Sequence, residues 1–173
     1  MTGSVICLVR HAEAGERAAW TRADPERPLT AAGRRQSEAL VRSLSAIPLK
    51  QLISSPFVRC VQTLEPLSAA RGLPLQRRDE LAEGEPIEHV EKIALEAATI
   101  GSAAVCVHGD GIRAVLQGLI DRDVELDGDR HDHAKGSTWI LRIIDGVIVS
   151  GRYEPPLDRG SPASDINSRP GRG

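Results

Sequence analysis

The sequence predicts an α/β fold: a largely parallel sheet with helices on both faces, ending in an antiparallel hairpin. Two observations carry this. Short apolar runs that read as buried strands, Val5-Ile6-Cys7-Leu8-Val9 and Ala103-Ala104-Val105-Cys106-Val107, alternate with segments of helical periodicity. Near the end of the chain, Asp145-Gly146 separates two strand-like runs, 137–144 and 147–153, and is a strong signal for a two-residue hairpin turn. The resulting order, β-α-β-α-β-α-β-α-β-β, suits parallel strands covered by crossover helices.

The elements follow in turn. After the first strand and a polar loop, Thr30 is placed to cap a helix whose apolar face is Leu40, Val41, Leu44 and Ile47, closed by Pro48. A short strand at 51–54 leads to a helix that Ser55-Pro56 should open, Pro66 should kink or split, and Gly72 should end. Residues 73–76 suggest a brief strand, and Pro86 a helix running through Ile87, Val90, Ile93 and Leu95 toward Gly101. The fourth strand delivers His108, and Ile112, Val115, Leu116 and Leu119 stripe the helix behind it.

A chain of 173 residues can bury a core as one domain, expected over 1–153. Residues 154–173 carry Pro155, Pro156, Pro162 and Pro170 among Gly, Ser and Arg, and are expected to be a flexible tail. With 22 basic against 24 acidic side chains, there is no footprint for a nucleic-acid polymer or an anionic membrane. No apolar stretch spans a bilayer or reads as a signal peptide, so the expected compartment is the cytoplasm. Cys7, Cys60 and Cys106 are odd in number, and two lie in expected strands, which points to reduced, buried thiols. Cys60 beside Arg59 lacks the loop-borne phosphate cradle of a thiol nucleophile and reads as a small hydrophobe.

Three strand ends carry the chemistry. Arg10-His11 closes the first strand. Ser54-Ser55-Pro56-Phe57-Val58-Arg59 joins a strand end to a helix start, with an arginine one turn in. His108-Gly109-Asp110-Gly111 closes the fourth strand, with glycines that allow close backbone approach. Ligands of open α/β sheets bind at the carboxyl ends of strands. Arginine forks and helix N-termini suit phosphate oxygens, and a neutral imidazole beside a guanidinium is a competent nucleophile.

Leu8-Val9-Arg10-His11-Ala12-Glu13, Arg27-Pro28-Leu29-Thr30 with Gly33, Ser54-Ser55-Pro56 with Arg59, Gln62 and Thr63, and Val107-His108-Gly109 together resemble the histidine phosphatase superfamily, also called phosphoglycerate-mutase-like. The resemblance covers residues 4–153. It implies a three-layer α/β/α sandwich and a phosphoenzyme mechanism in which His11 attacks phosphorus. Arg10, Arg59 and His108 would form the phosphate pocket, and Glu83, in Leu81-Ala82-Glu83-Gly84, would be the general acid. Glu80 and Asp79 remain rivals for that last role. Two arginines and a histidine supply the positioning and charge that phosphoryl transfer needs, so neither a metal nor another cofactor is expected.

The RPLT stretch and compact length resemble the small phosphohistidine phosphatases. The stretches 15–20, 60–67 and 135–139 resemble the phosphatase domain fused to actinobacterial Nudix hydrolases, where an acid such as Glu83 is expected. The expected partner is a phosphorylated small molecule or nucleotide-type phosphomonoester, with a phosphohistidine protein as the rival. A mutase is disfavoured: the chain has little insertion with which to close a pocket, and Ala14-Gly15-Glu16 departs from the mutase pattern. A non-catalytic phosphate-binding module stays open, since fold does not fix function. Oligomeric state is not specified by the sequence. His131 and His133, among Asp127, Asp129 and Asp132, read as a solvated polar loop rather than a metal site. Trp20 and Trp139 fit either a substrate pocket or packing, and Lys135 is placed at the rim without a catalytic role.

Overall fold

Alternation along two strands divides the core in two. In the computed structural model, which describes residues 3–157, β1 (Gly3–Arg10) sends Ile6 and Leu8 to one face of the sheet and Cys7 and Val9 to the other. β4 (Ala103–Val107) does the same, with Ala103, Val105 and Val107 opposite Ala104 and Cys106. Helices α1 (Ala31–Ser43) and α2 (Val58–Arg71) cover the Cys7/Val9 face through Leu40, Cys60, Leu64 and Leu67. Helices α3 (Glu88–Ala98) and α4 (Gly109–Asp121) cover the Ile6/Leu8 face through Val90, Ile93, Ile112, Val115, Leu116 and Leu119. The result is the three-layer α/β/α sandwich.

With β2 (Gln51–Ser54), β3 (Leu75–Arg77), β5 (Glu125–Asp127), β6 (Thr138–Ile144) and β7 (Val147–Glu154), the sheet order is β3-β2-β4-β1-β6-β7-β5. β3, β2, β4 and β1 are mutually parallel, and β6 runs antiparallel to both β1 and β7. Asp145 and Gly146 both have positive φ, 50° and 77°, as the expected tight hairpin requires. Because β2, β4 and β1 are neighbours, the three strand ends singled out above lie side by side. His11 N–H donates to Val107 O at 3.1 Å and Ser55 N–H to Cys106 O at 3.0 Å.

Thr30 caps α1, its Oγ1 accepting from Gly33 N–H at 3.1 Å. Several expectations fail locally. Ser55 does not cap α2, which starts at Val58, because the Ser55 hydroxyl is engaged by His108 Nε2 at 2.8 Å. Pro66 does not split α2: buried Cys60, Leu64 and Leu67 hold the helix through the turn that the proline deprives of a donor. The third strand lies at 75–77, displaced from the expected 73–76. β5, which pairs in parallel with β7 at the sheet edge, was not expected: the alternation of Val124-Glu125-Leu126-Asp127 is too short to signal a strand by itself. The last strand runs to Glu154, one residue past the expected boundary of 153, and residues 158–173 of the expected tail lie outside the described residues. All three cysteines are free and buried, and no described helix is long and apolar enough to cross a membrane.

Candidate active site

His11 follows the last residue of β1 and is 5% exposed. Its Nδ1 lies 2.8 Å from Ala12 O. A carbonyl only accepts, so the ring hydrogen sits on Nδ1 and the lone pair on Nε2 is free. Burial, reinforced by the charges of Arg59, His108 and Arg10, pushes His11 down to about 3, against the opposing pull of the Ala12 hydrogen bond. The imidazole is therefore neutral at pH 7 with a fixed tautomer, the form a nucleophile needs.

His108 stands at the N-cap of α4, its ring 5.5 Å from that of His11 and 4.9 Å from that of Phe57. Ser55 Oγ accepts from Phe57 N–H at 3.3 Å and lies 2.8 Å from His108 Nε2. The other ring nitrogen of His108, Nδ1, is buried and has no partner among the described residues. The Nε atoms of Arg10 and Arg59 are likewise buried and unpartnered. Two orphaned guanidinium donors and an unpartnered ring nitrogen around one neutral imidazole are what an oxyanion can satisfy, since an unmet buried donor costs about 1–3 kcal/mol.

Arg59, in the first turn of α2, is 1% exposed, and its guanidinium lies 4.8 Å from the centroid of Phe57. Its Nη2 is 2.8 Å from Glu83 Oε2 and 3.1 Å from Asp24 Oδ2, while its Nη1 donates to Asp24 O at 3.0 Å. Glu83 hangs from a loop anchored by buried Leu81. Of the three candidate acids, Glu83 alone touches one of these site residues. Asp79 is exposed, and Glu80 is held by Arg78, whose hydrogen bonds press its carboxyl down to about 2 and keep it ionised. Cys60, 0% exposed, lies 3.6 Å behind His108 Nε2 and has no outlet to a substrate.

The remaining motif residues brace this set. Thr63 Oγ1 accepts from Ala12 N–H at 2.9 Å and donates to Arg59 O at 2.7 Å, and Gln62 Oε1 accepts from Leu29 N–H at 2.9 Å. Buried Arg27 donates to Ala14 O and Gly15 O and pairs with Asp24 Oδ1 at 2.9 Å. At Gly33 a Cβ would fall 2.0 Å from Glu13 O, so the tight approach of α1 to the loop after His11 admits only glycine.

Sequence reasoning missed Asp24 and the hydroxyl of Ser55, whose roles arise from long-range contacts. It also placed His133 in a solvated loop, whereas His133 is half-buried, with its Nδ1 3.2 Å from Arg10 Nη1. His131 is exposed, and among the described residues no group of three metal-ligating side chains is assembled. Trp139 is core, its Nε1 donating to Asp132 O. Trp20 instead walls a hollow of about 250 Å³ with Ala14, Gly15 and Leu29. Lys135 pairs with Glu13 at 3.3 Å.

A buried neutral histidine ringed by arginine and histidine nitrogens thus lies at the strand ends of an α/β/α sandwich, an arrangement chemically suited to phosphate oxygens. Comparison with known proteins agrees. Residues 6–98 match the histidine phosphatase superfamily (branch 1), and the chain belongs to that superfamily. It is 32% identical over 164 residues to an 8-oxo-(d)GTP phosphatase of Mycolicibacterium smegmatis, a match covering 88% of this chain and 48% of the relative. The chain thus spans about half the length of that relative. Among solved structures, the protein histidine phosphatase SixA complexed with tungstate superposes with a TM-score of 0.67 at 20% identity, covering 87% of this chain and 94% of SixA. A phosphoglycerate mutase from Bacillus anthracis superposes at 0.63 and 17%, covering 89% and 92%. At these identities the likeness to both structures shows the fold.

Proposed function

We propose that the chain is a phosphatase that hydrolyses a phosphomonoester of small-molecule or nucleotide type through a covalent phosphohistidine on His11. The observation that carries this reading is the pairing of a buried, neutral His11, its Nε2 lone pair free, with the unpartnered buried nitrogens of Arg10, Arg59 and His108. Nε2 attacks phosphorus as the bond to the leaving oxygen breaks, and Glu83 supplies the proton that oxygen takes up. Water then attacks the phosphohistidine, giving its proton to Glu83, and the P–N bond breaks to release phosphate. Charge on the transferring group is met by the two guanidiniums and His108, which is where such catalysis gains most of its rate. The nucleotide leaning draws support from the relative whose printed activity is on 8-oxo-(d)GTP.

The test is phosphate release from a panel of phosphomonoesters, nucleotides and a phosphohistidine peptide, by wild type and His11→Ala, with and without EDTA. Turnover that is lost on substitution and indifferent to EDTA is expected. Fastest turnover on the phosphohistidine peptide would move the substrate to a protein. No turnover of any member would turn the reading toward a phosphate-binding module.

A further inference from the structure

The basic side chains of the site fall into two sets that differ in whether a carboxylate pairs with them. On the α2 side, Arg17, Arg27 and Arg59 are each paired with Asp24 or Glu83 at 2.7–3.3 Å. On the α4 side, Arg10, Arg113 and His133 make no ion pair with any carboxylate among the described residues.

Geometry gathers this second set. Arg10 Nη1 donates to His133 O at 2.6 Å and lies 3.2 Å from His133 Nδ1, which therefore accepts and leaves the ring hydrogen on Nε2. The Arg10 guanidinium lies over Gly109, where a Cβ would come within 3.1 Å of Arg10 Cζ. Arg113 is exposed and sits four residues beyond Gly109, on the same face of α4. The groups sense one another. Burial and then the Arg113 charge hold Arg10 below its usual range, with Glu13, Asp110 and Glu83 opposing at a distance. Burial, then Arg10, Arg113 and His131, hold His133 down. The Arg10 and Arg113 charges, kept together without a counter-charge, repel, and an anion between them converts that repulsion into binding, with the neutral His133 offering its Nε2–H as a donor.

We propose that Arg113, His133 and the outer edge of Arg10 form a second anion subsite, so that the preferred substrate carries a further phosphate or carboxylate beside the phosphoryl group presented to His11. This rests on the reading of His11 as phosphoryl acceptor and narrows its substrate class. On the α2 side the arginines beyond Arg59, Arg17 and Arg27, already face the carboxylates of Asp24 and Glu83, which oppose a second anion there.

Calorimetric titration of the full chain with methylphosphonate, methylenediphosphonate and phosphonoacetate tests this. Either two-anion ligand should bind at least about tenfold more tightly than methylphosphonate, the scale of one charge-assisted contact. Arg113→Gln should erase the advantage, and Arg113→Lys should keep part of it. The tighter of the two ligands identifies the second group as phosphate or carboxylate. Equal affinity for all three, or an advantage that survives Arg113→Gln, overturns the subsite. These ligands are not hydrolysed, so the result is independent of turnover. An Arg113-dependent advantage without phosphate release from any substrate would sink the hydrolytic reading and leave the subsite standing.

Discussion

Glu83 Oε2 lies 2.8 Å from Arg59 Nη2, which couples the residue proposed as general acid to one proposed to hold the phosphoryl group. Glu83→Gln keeps the shape and a carbonyl for Arg59 but has no proton to give. For an alkyl phosphate, kcat/KM, which reports the steps up to formation of the phosphoenzyme, should fall about a hundredfold to ten-thousandfold. For p-nitrophenyl phosphate, whose leaving oxygen needs no proton, the loss should be far smaller. Equal losses on the two substrates would assign Glu83 to holding Arg59 alone.

Asp24 binds Arg59 through both its carboxylate and its backbone carbonyl, and binds Arg27 through Oδ1. Asp24→Asn removes the charge that faces a 1%-exposed guanidinium. We expect a loss of about 1–3 kcal/mol of stability, since the pair is partly open to water on the Asp24 side, together with a raised KM. Urea denaturation and steady-state kinetics measure both. An unchanged midpoint and KM would mean that Glu83 suffices to hold Arg59.

His11 sets a pH dependence of stability. The unfolded chain takes up a proton on this ring near 6.5, whereas the folded chain resists until about 3. Between those values the unfolded state binds more protons, so the contribution is full above 6.5 and is lost as pH falls toward 3. His11→Gln removes it. The variant should lose less stability between pH 7 and pH 4 than wild type, by on the order of 3 kcal/mol. Parallel urea profiles for the two proteins would show that His11 is not buried neutral.

Much of this was legible in the residues. Apolar runs ending in Arg10-His11 and His108, the Thr30 cap and the Asp145-Gly146 turn each act over a few positions, where pattern and local stereochemistry decide. What stayed hidden depends on partners far along the chain. Asp24 is an ordinary acidic loop residue until α2 brings Arg59 against it, and Ser55 looks like a helix cap until β4 presents His108. β5 is held by its neighbour β7 and carries too short an alternation to be read alone, and Pro66 is tolerated because packing outweighs one lost hydrogen bond. His133 is polar among polar residues, and only the fold carries it to Arg10.

Gly33 links fold to site. With a Cβ only 2.0 Å from Glu13 O, Gly33→Ala must push α1 away from the loop that follows His11. A loss above about 2 kcal/mol is expected, on the scale of overpacking against backbone that cannot yield. Chemical denaturation gives the number, and a loss within about 0.5 kcal/mol, as at an ordinary surface site, would show that the approach is looser than the geometry requires.

The most direct test of the central proposal is to trap the phosphoenzyme. Wild type mixed with excess labelled substrate and quenched in alkali should carry an acid-labile, base-stable phosphoryl group on the peptide containing His11, and His11→Ala should carry none. Steady turnover with no such adduct, or an adduct on any other residue, would contradict His11 as the nucleophile.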